Sequence, residues 1–153
     1  MKIKIEIDDG LAEEEIVIRC KSLSEDVISI QKRITDAVNS RMQLEVSRGE
    51  KEYYITIDEI LFFETDTSGV IVHTANQIYE TKYRLYELED LLPGNFVRVA
   101  KSTILNASKV RAINKNITGA SEVEFAGSNK KVFVSRNYLK LLMTKLEEKR
   151  LMK

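Results

Sequence analysis

Three short segments of the sequence carry polar or basic side chains directly after stretches that alternate apolar and polar residues. The three segments are residues 66–69, 100–103 and 135–137. Lys101 and Ser102 place a cation and a hydroxyl in one turn, and both groups bind phosphate. The guanidinium of Arg136 can donate to two acceptors in one plane, as arginine does to O6 and N7 of guanine. Because loops at strand ends project from a rigid scaffold, these segments are candidates for binding an anionic ligand.

The charged residues are distributed unevenly along the chain, although the formal net charge of its 153 residues is zero. Residues 1–40 carry 6 basic and 9 acidic side chains, and residues 41–95 carry 5 basic and 11 acidic side chains. Residues 96–153 carry 13 basic and 4 acidic side chains, a net charge of +9. Because local clustering sets the field, this last third favours an anionic partner. A solvated basic helix is the alternative interpretation.

The composition offers little of what catalysis or metal binding requires. His73 is the only histidine and Cys20 the only cysteine, so a zinc site lacks ligands and an internal disulfide lacks a second thiol. We interpret His73 as a surface or interstrand residue and Cys20 as a reduced, buried thiol. The sequence shows no glycine-rich phosphate loop and no calcium-loop spacing. We therefore expect no enzymatic activity, no cofactor, no metal ion and no small-molecule substrate.

The sequence also shows no signal for a membrane or for secretion. Its apolar runs are much shorter than the roughly 18–20 residues that a membrane-spanning helix needs. The first residues, MKIKIEIDDG, are charged and lack the apolar stretch of a secretory signal. The sequence therefore predicts a cytoplasmic protein.

Residues 1–40 are predicted to form a small β-β-α unit. Residues 2–7 and 15–20 alternate apolar with polar side chains, and residues 8–10 supply a turn, which predicts a hairpin. Ser22 and Glu25 match a capping box before a helix of about four turns. About 40 residues can hardly build an independent core. We therefore expect this unit to dock on the rest of the chain or on a second copy, and to mediate dimerisation or signal sensing.

Residues 41–153 are predicted to form a second domain of antiparallel strands with one short helix and one C-terminal helix, so the fold class is mainly β (α+β). The predicted strands are residues 42–47, 52–57, 60–65, 70–74, 77–82, 96–100, 109–114, 121–126 and 131–135. Leu85, Leu88 and Leu92 define the short helix, and Ser135 is the predicted N-cap of the last one. The aromatic residues Tyr53, Tyr54, Phe62 and Phe63 are predicted core residues, which disfavours an RNA-stacking platform.

Four ordered motifs resemble the LytTR family of bacterial DNA-binding domains over residues 43–147. The motifs are YYITIDEILFFET, VIVHT, LYELEDLLPGNFVRVAKSTILNASKVRAIN and VFVSRNYLKLLMTKL. The resemblance implies a fold of antiparallel sheets whose loops enter successive grooves on one side of the DNA duplex. It also implies a transcriptional regulator that reads paired direct repeats, here as a short member without a receiver domain.

The resemblance also assigns roles to the candidate site residues. Arg136, with its neighbour Asn137, occupies the position whose arginine reads bases in the major groove. Lys101 and Ser102 occupy a loop that approaches the backbone and the minor groove, although many members have histidine and arginine where this chain has Ala100 and Lys101. In the third contact loop, Thr67 and Ser68 are the expected donors. A further match, Asn106, has either a structural or a DNA-facing role in the family.

The sequence thus predicts a regulator that binds double-stranded DNA as a homodimer, formed in solution or on the DNA. For some short family members, a small membrane protein controls activity, so a membrane-protein inhibitor is a partner that the resemblance allows. The alternative function is a protein-interaction module whose basic surface binds an acidic or membrane-associated regulatory partner. A preference for particular DNA sequences would distinguish the first function from the second.

Overall fold

The computed structural model describes residues 1–39, 41–116 and 118–147, and the chain divides into two units, Met1–Ala37 and Val38–Lys153. All ten described strands belong to the second unit. They form two antiparallel sheets of seven and three strands, which confirms the predicted mainly β class.

In the first unit, the predicted helix forms but the predicted hairpin does not. Helix α1 spans Glu25–Asn39, and its Val27 N–H donates to Ser24 Oγ at 3.3 Å, so Ser24 rather than Ser22 caps the helix. Residues 2–7 and 15–20 have no ladder partner among the described residues, and Cys20 is exposed. The predicted hairpin and the predicted buried thiol are therefore wrong for the isolated chain. An uncovered two-stranded hairpin is only marginally stable in water, which explains the difference.

The larger sheet of the second unit is built from seven short strands. The strands are β1 Gln43–Arg48, β2 Lys51–Thr56, β3 Ile60–Asp66, β4 Gly69–Thr74, β5 Ile78–Thr81, β6 Phe96–Ala100 and β7 Thr103–Asn106. Their order across the sheet is β2-β1-β5-β4-β3-β7-β6. Glycines with positive φ, Gly49 at 63° and Gly69 at 136°, close the β1–β2 and β3–β4 hairpins. Helix α2, Leu85–Leu91, connects β5 to β6.

The smaller sheet and the last helix complete the second unit. Strands β8 Val110–Asn114, β9 Ser121–Phe125 and β10 Lys131–Val134 form a sheet in the order β10-β9-β8, and α3 spans Arg136–Glu147. The sequence patterns predict nine of the ten strands to within one or two residues. Strand β7 is missed, because its four residues are all buried and show no alternation.

Two clusters of buried side chains hold the second unit together. Ile60, Phe63 and Val72 of the larger sheet pack with Leu85 and Leu88 of α2 in the first cluster. Phe62, Val99, Leu105, Phe125 and Leu142 belong to the second cluster, which joins the larger sheet to the smaller sheet and to α3. β3 thus contributes to both clusters, since successive side chains of a strand face opposite sides.

The aromatic prediction is partly wrong at the outer strand β2. Phe62 and Phe63 are buried as predicted, and Tyr53 packs at a ring-centroid distance of 5.2 Å from Tyr79. Tyr54 is 62% exposed, because it faces away from Tyr53 on the outermost strand of the sheet. Tyr54 is therefore not a core residue.

Candidate nucleic-acid interface

The three polar segments identified in the sequence lie together at one end of the larger sheet. β3 and β7 are antiparallel neighbours, so the end of β3 lies beside the beginning of β7. The Thr65 N–H donates to the Ser102 carbonyl at 2.9 Å, and the Ser135 N–H donates to the Val99 carbonyl at 2.9 Å. These bonds bring the β3–β4 hairpin, the β6–β7 turn and the beginning of α3 side by side. We refer to residues 66–69, 101–102 and 136–137 together as the loop surface.

The β6–β7 turn is held by an arginine from its own strand. The Arg98 Nε donates to the Ala100 carbonyl at 2.9 Å, and a terminal guanidinium nitrogen donates to the Lys101 carbonyl. The same guanidinium pairs with Glu89 of α2 at 3.2 Å. The backbone of the turn is therefore fixed, whereas the side chains of Lys101 and Ser102 are exposed. A fixed backbone lowers the entropic cost of placing the Lys101 ammonium against a phosphate.

The β3–β4 hairpin is organised by a carboxylate rather than by glycine alone. Asp66 accepts hydrogen bonds from the Ser68 hydroxyl at 2.6 Å, from the Ser68 N–H at 2.7 Å and from the Gly69 N–H at 3.2 Å. These bonds, chiefly those from Ser68, hold the pKa of Asp66 below its usual value. The Ser68 hydroxyl already donates within the turn, so Thr67 is the side chain better placed to donate to a phosphate.

Helix α3 presents its first residues to solvent while its other face is anchored in the protein. Leu142 is completely buried in the second cluster, and Tyr138 and Leu139 pack against that cluster. Arg136 and Asn137 are exposed, and no ion pair of the Arg136 guanidinium occurs within residues 1–39, 41–116 and 118–147. The free N–H groups of a helix start favour an anion nearby. The arrangement leaves Arg136 available to an external acceptor.

The spacing of the loop surface matches the dimensions of double-stranded DNA. The β3–β4 hairpin and the β6–β7 turn are centred two strand spacings apart, which is about 10 Å at a usual spacing of roughly 4.8 Å. The major groove of B-DNA is about 12 Å wide. Elements at this separation can contact one groove and the backbone beside it at the same time.

Two residues that sequence reasoning missed contribute to this end of the sheet. Arg98 lies between the buried residues Val97 and Val99, and an arginine in an apolar strand two residues before the end of the strand is the signal that could have identified it. Lys140 is exposed one helical turn after Arg136, so the two side chains share a face of α3. The spacing of four residues between two cations was visible in the sequence.

Asn106 is a structural residue in the described fold. It is completely buried, and its Nδ2 donates to the Ile60 carbonyl at 2.9 Å. Its Oδ1 accepts from Asn95 Nδ2 at 2.8 Å and from the Ser108 N–H at 3.0 Å. The side chain therefore joins β7 to β3 and to the loop before β6, and its polar atoms are used within the protein rather than for DNA.

His73 lies in a polar cluster within the second unit. Its Nε2 lies 2.7 Å from Glu64 Oε1 on the neighbouring strand, and its Nδ1 lies 3.3 Å from Lys130 Nζ. Burial of the ring, which stacks on Phe62, lowers the pKa of His73, although the Glu64 carboxylate opposes this effect. This position agrees with an interstrand histidine. A neutral ring that donates to Glu64 and accepts from Lys130 satisfies both nitrogens.

Metal binding and membrane crossing each require features that can be examined in the described residues. Within the described ranges, no three His, Cys, Asp or Glu side chains are grouped so that they could hold a metal ion. None of the described helices combines the length and the apolar composition that crossing a membrane requires.

This chain is similar to known proteins at the level of a protein family, of individual relatives and of a solved structure. Residues 50–147 match the LytTr DNA-binding domain family. Proteins named uncharacterized HTH-type transcriptional regulators, from Staphylococcus aureus strains NCTC 8325 and COL, are 29% identical over 147 residues. The alignments cover 95% of this chain and 98% of each relative. A solved LytTr DNA-binding domain from Bacillus cereus superposes with a TM-score of 0.64 at 20% identity, covering 69% of this chain and 97% of that one.

Within the ranges that the structure describes, no two helices follow one another as they do in a helix-turn-helix. In the part of the chain that the structure describes, α1 is followed by β1 and α2 by β6. The polar segments at the end of the sheet therefore provide the candidate interface, with α3 contributing its first turn.

Proposed function

Because the chain belongs to the LytTR family of DNA-binding domains, we propose that it is a transcriptional regulator that reads paired direct-repeat sites in double-stranded DNA. The observation that carries the proposal is the meeting of the three exposed polar segments at one end of a rigid sheet. Two of these segments belong to the third of the chain with a net charge of +9. A family of DNA-binding domains gives no ground for assigning an enzymatic activity.

In the proposed complex, the side chains of the loop surface divide by role. Arg136 donates to base edges in the major groove, with Asn137 beside it. Lys101 and Ser102 bind the phosphate backbone. Thr67, with Ser68 beside it, provides a third contact from the hairpin. Phosphate contacts fix position and orientation, whereas base contacts discriminate among sequences. We assign sequence preference to Arg136 for this reason.

Paired direct repeats require two copies of the chain, so we propose that the protein acts as a homodimer in the cytoplasm. The first unit, Met1–Ala37, is the proposed dimerisation or regulatory element. A small membrane protein is a further proposed partner, as an inhibitor of DNA binding. Sedimentation of residues 41–153 against the full chain tests the role of the first unit, and an unchanged oligomeric state would count against dimerisation through it.

Selection of bound duplexes from a random library tests the proposed function directly. We expect enrichment of spaced repeats, and binding of the selected duplex that weakens with salt because bound phosphates release counterions. The Lys101→Ala variant should weaken binding to all duplexes and reduce the salt slope by about one. Lys51→Ala is the matched control, because Lys51 is exposed at the β1–β2 turn, at the opposite end of the sheet.

If the selection enriches no DNA sequence, the alternative function, a protein-interaction module, is favoured. A folded protein that binds all duplexes equally would show that the basic surface recognises charge without sequence. An acidic or membrane-associated protein partner would then be the better candidate ligand.

A further inference from the structure

Residues 2–7 expose a row of apolar side chains on a segment that belongs to neither sheet. Ile3, Ile5 and Ile7 are 95%, 86% and 95% exposed. Between them, Lys4 and Glu6 form an exposed ion pair at 2.7 Å, so the two charged side chains lie on the same side of an extended backbone. This segment has the alternation of a strand, and an unpaired strand is a template for pairing with another chain.

We propose that residues 2–7 of two copies of this chain pair as antiparallel strands about a two-fold axis at Ile5. In this register Ile5 of one chain lies opposite Ile5 of the other. Ile3 lies opposite Ile7, and Lys4 lies opposite Glu6. The same register places Lys2 opposite Asp8. This strand pairing is the dimer contact of the proposed regulator, and its role on paired repeats rests on the proposed function.

The charges of the segment select this register over its neighbours. A shift by one residue places isoleucine opposite a charged side chain and turns the apolar residues of one strand to the other face. A shift by two residues in one direction places Lys4 opposite Lys4, and in the other direction it places Glu6 opposite Glu6. Like charges directly opposite each other destabilise a strand pair. Only the register centred on Ile5 matches every apolar and every charged position.

The same charge order favours a second copy over an acidic partner or an anionic membrane. A partner of one sign would match only one half of the segment, because Lys2 and Lys4 precede Glu6 and Asp8. A second copy running in the opposite direction matches both halves. The contact is therefore self-complementary, which is the property of an interface with two-fold symmetry.

Pairing of two copies also supplies the additional strands that a hairpin of residues 2–7 and 15–20 lacks in the single chain. Ile16 and Ile18 are exposed, and they are separated by one residue, so in a strand both side chains would lie on the same face. If this segment adds beside residues 2–7 in each copy, a four-stranded sheet results, and sheets of three or more strands with a covered face are stable where a lone hairpin is not. The amphipathic helix α1, with apolar residues at Val27, Ile30 and Ile34, can cover one face.

Charge-reversal variants of the full chain test the register without DNA. We expect the wild-type chain to sediment as a dimer in the micromolar range. Lys4→Glu alone or Glu6→Lys alone places like charges opposite each other twice and should raise the dimer dissociation constant about tenfold or more. An equimolar mixture of the two variants should restore the dimer, because in the mixed pair every carboxylate at position 4 or 6 of one chain faces an ammonium group of the other. Lys21→Glu is the control, because Lys21 is an exposed residue of the same unit outside residues 2–7, and it should leave the dimer dissociation constant unchanged.

Two results would overturn the inference. A wild-type chain that remains monomeric in the micromolar range would exclude the second copy as the occupant and leave another protein as the partner of the segment. Single variants that dimerise as well as the wild type would exclude the register. Binding of each variant to a duplex with one half-site, measured in parallel, separates these results from the proposed function, because that binding depends only on the loop surface.

Discussion

The substitution Arg136→Ala separates base reading from phosphate binding at the loop surface. Arg136 is exposed at the start of α3, and the helix is held by Leu142 in the second cluster of buried side chains. Removing the guanidinium therefore leaves the packing intact, and we expect the midpoint of thermal unfolding to stay within a degree or two of the wild type. Any change in DNA binding then reports on the contact rather than on folding.

The expected magnitude follows from the two hydrogen bonds that a guanidinium makes with a guanine edge. A bidentate contact of this kind contributes about 1–3 kcal/mol of discrimination. At about 1.4 kcal/mol per factor of ten, Arg136→Ala should weaken binding to the selected duplex by roughly 5- to 150-fold. Binding to scrambled duplex should change much less, so the ratio of the two affinities should fall.

Fluorescence anisotropy titrations of selected and scrambled duplexes at two salt concentrations measure this ratio. Arg111→Ala is the matched control, because Arg111 is an exposed arginine of β8 that lies near the β4–β5 turn at the opposite end of the sheet. We expect the control to keep the ratio of the wild type. Equal losses on both duplexes for Arg136→Ala, with a salt slope lower by about one, would refute the reading role and make Arg136 a phosphate contact.

Three further substitutions test the structure around the loop surface. Arg98→Lys cannot donate to both turn carbonyls while pairing with Glu89, so we expect about fivefold weaker binding to all duplexes in the same titrations. Asn106→Ala should lower the free energy of unfolding in urea by about 1–3 kcal/mol for each buried group left without a partner, and an unchanged midpoint would contradict its structural role. Burial lowers the pKa of His73 in the folded protein, so folding should be weakened as the pH falls below about 6.5, the ordinary value. His73→Gln should remove this part of the pH dependence, which urea titrations between about pH 7.5 and 5 would measure.

The strand and helix pattern of the second unit could be predicted from the sequence because it depends on local spacing. Alternating side chains and turn glycines identify nine strands, and the apolar spacing of Leu85 and Leu88 identifies α2. Strand β7 could not be predicted in this way, because both of its faces are buried and its residues therefore do not alternate between apolar and polar. The first unit shows the opposite failure: residues 2–7 alternate as a strand does, but no third strand or covering layer stabilises a hairpin there among the described residues.

The candidate site was predictable in its residues but not in its arrangement. Motifs identified Arg136, Lys101 and Ser102 as polar residues after strands, and the family resemblance gave them roles. Two features of the arrangement depend on atomic positions that the spacing of residues along the sequence does not reveal. They are the hydrogen bonds from Ser68 to Asp66 and the hydrogen bonds from Arg98 to the carbonyls of the β6–β7 turn. The exposure of Tyr54 likewise depends on β2 being the outer strand of the sheet.

The mainly β fold class, the concentration of positive charge in the last third and the residue types of the loop surface all follow from the amino-acid sequence alone. These properties follow from composition and from local periodicity, which a chain carries before it folds. The meeting of the segments 66–69, 101–102 and 136–137 is instead a consequence of the fold, because it depends on β3 pairing with β7 and on the hydrogen bond from Ser135 to Val99. Strand order is a long-range property, and the free energy that selects it comes from burying both clusters of side chains at once.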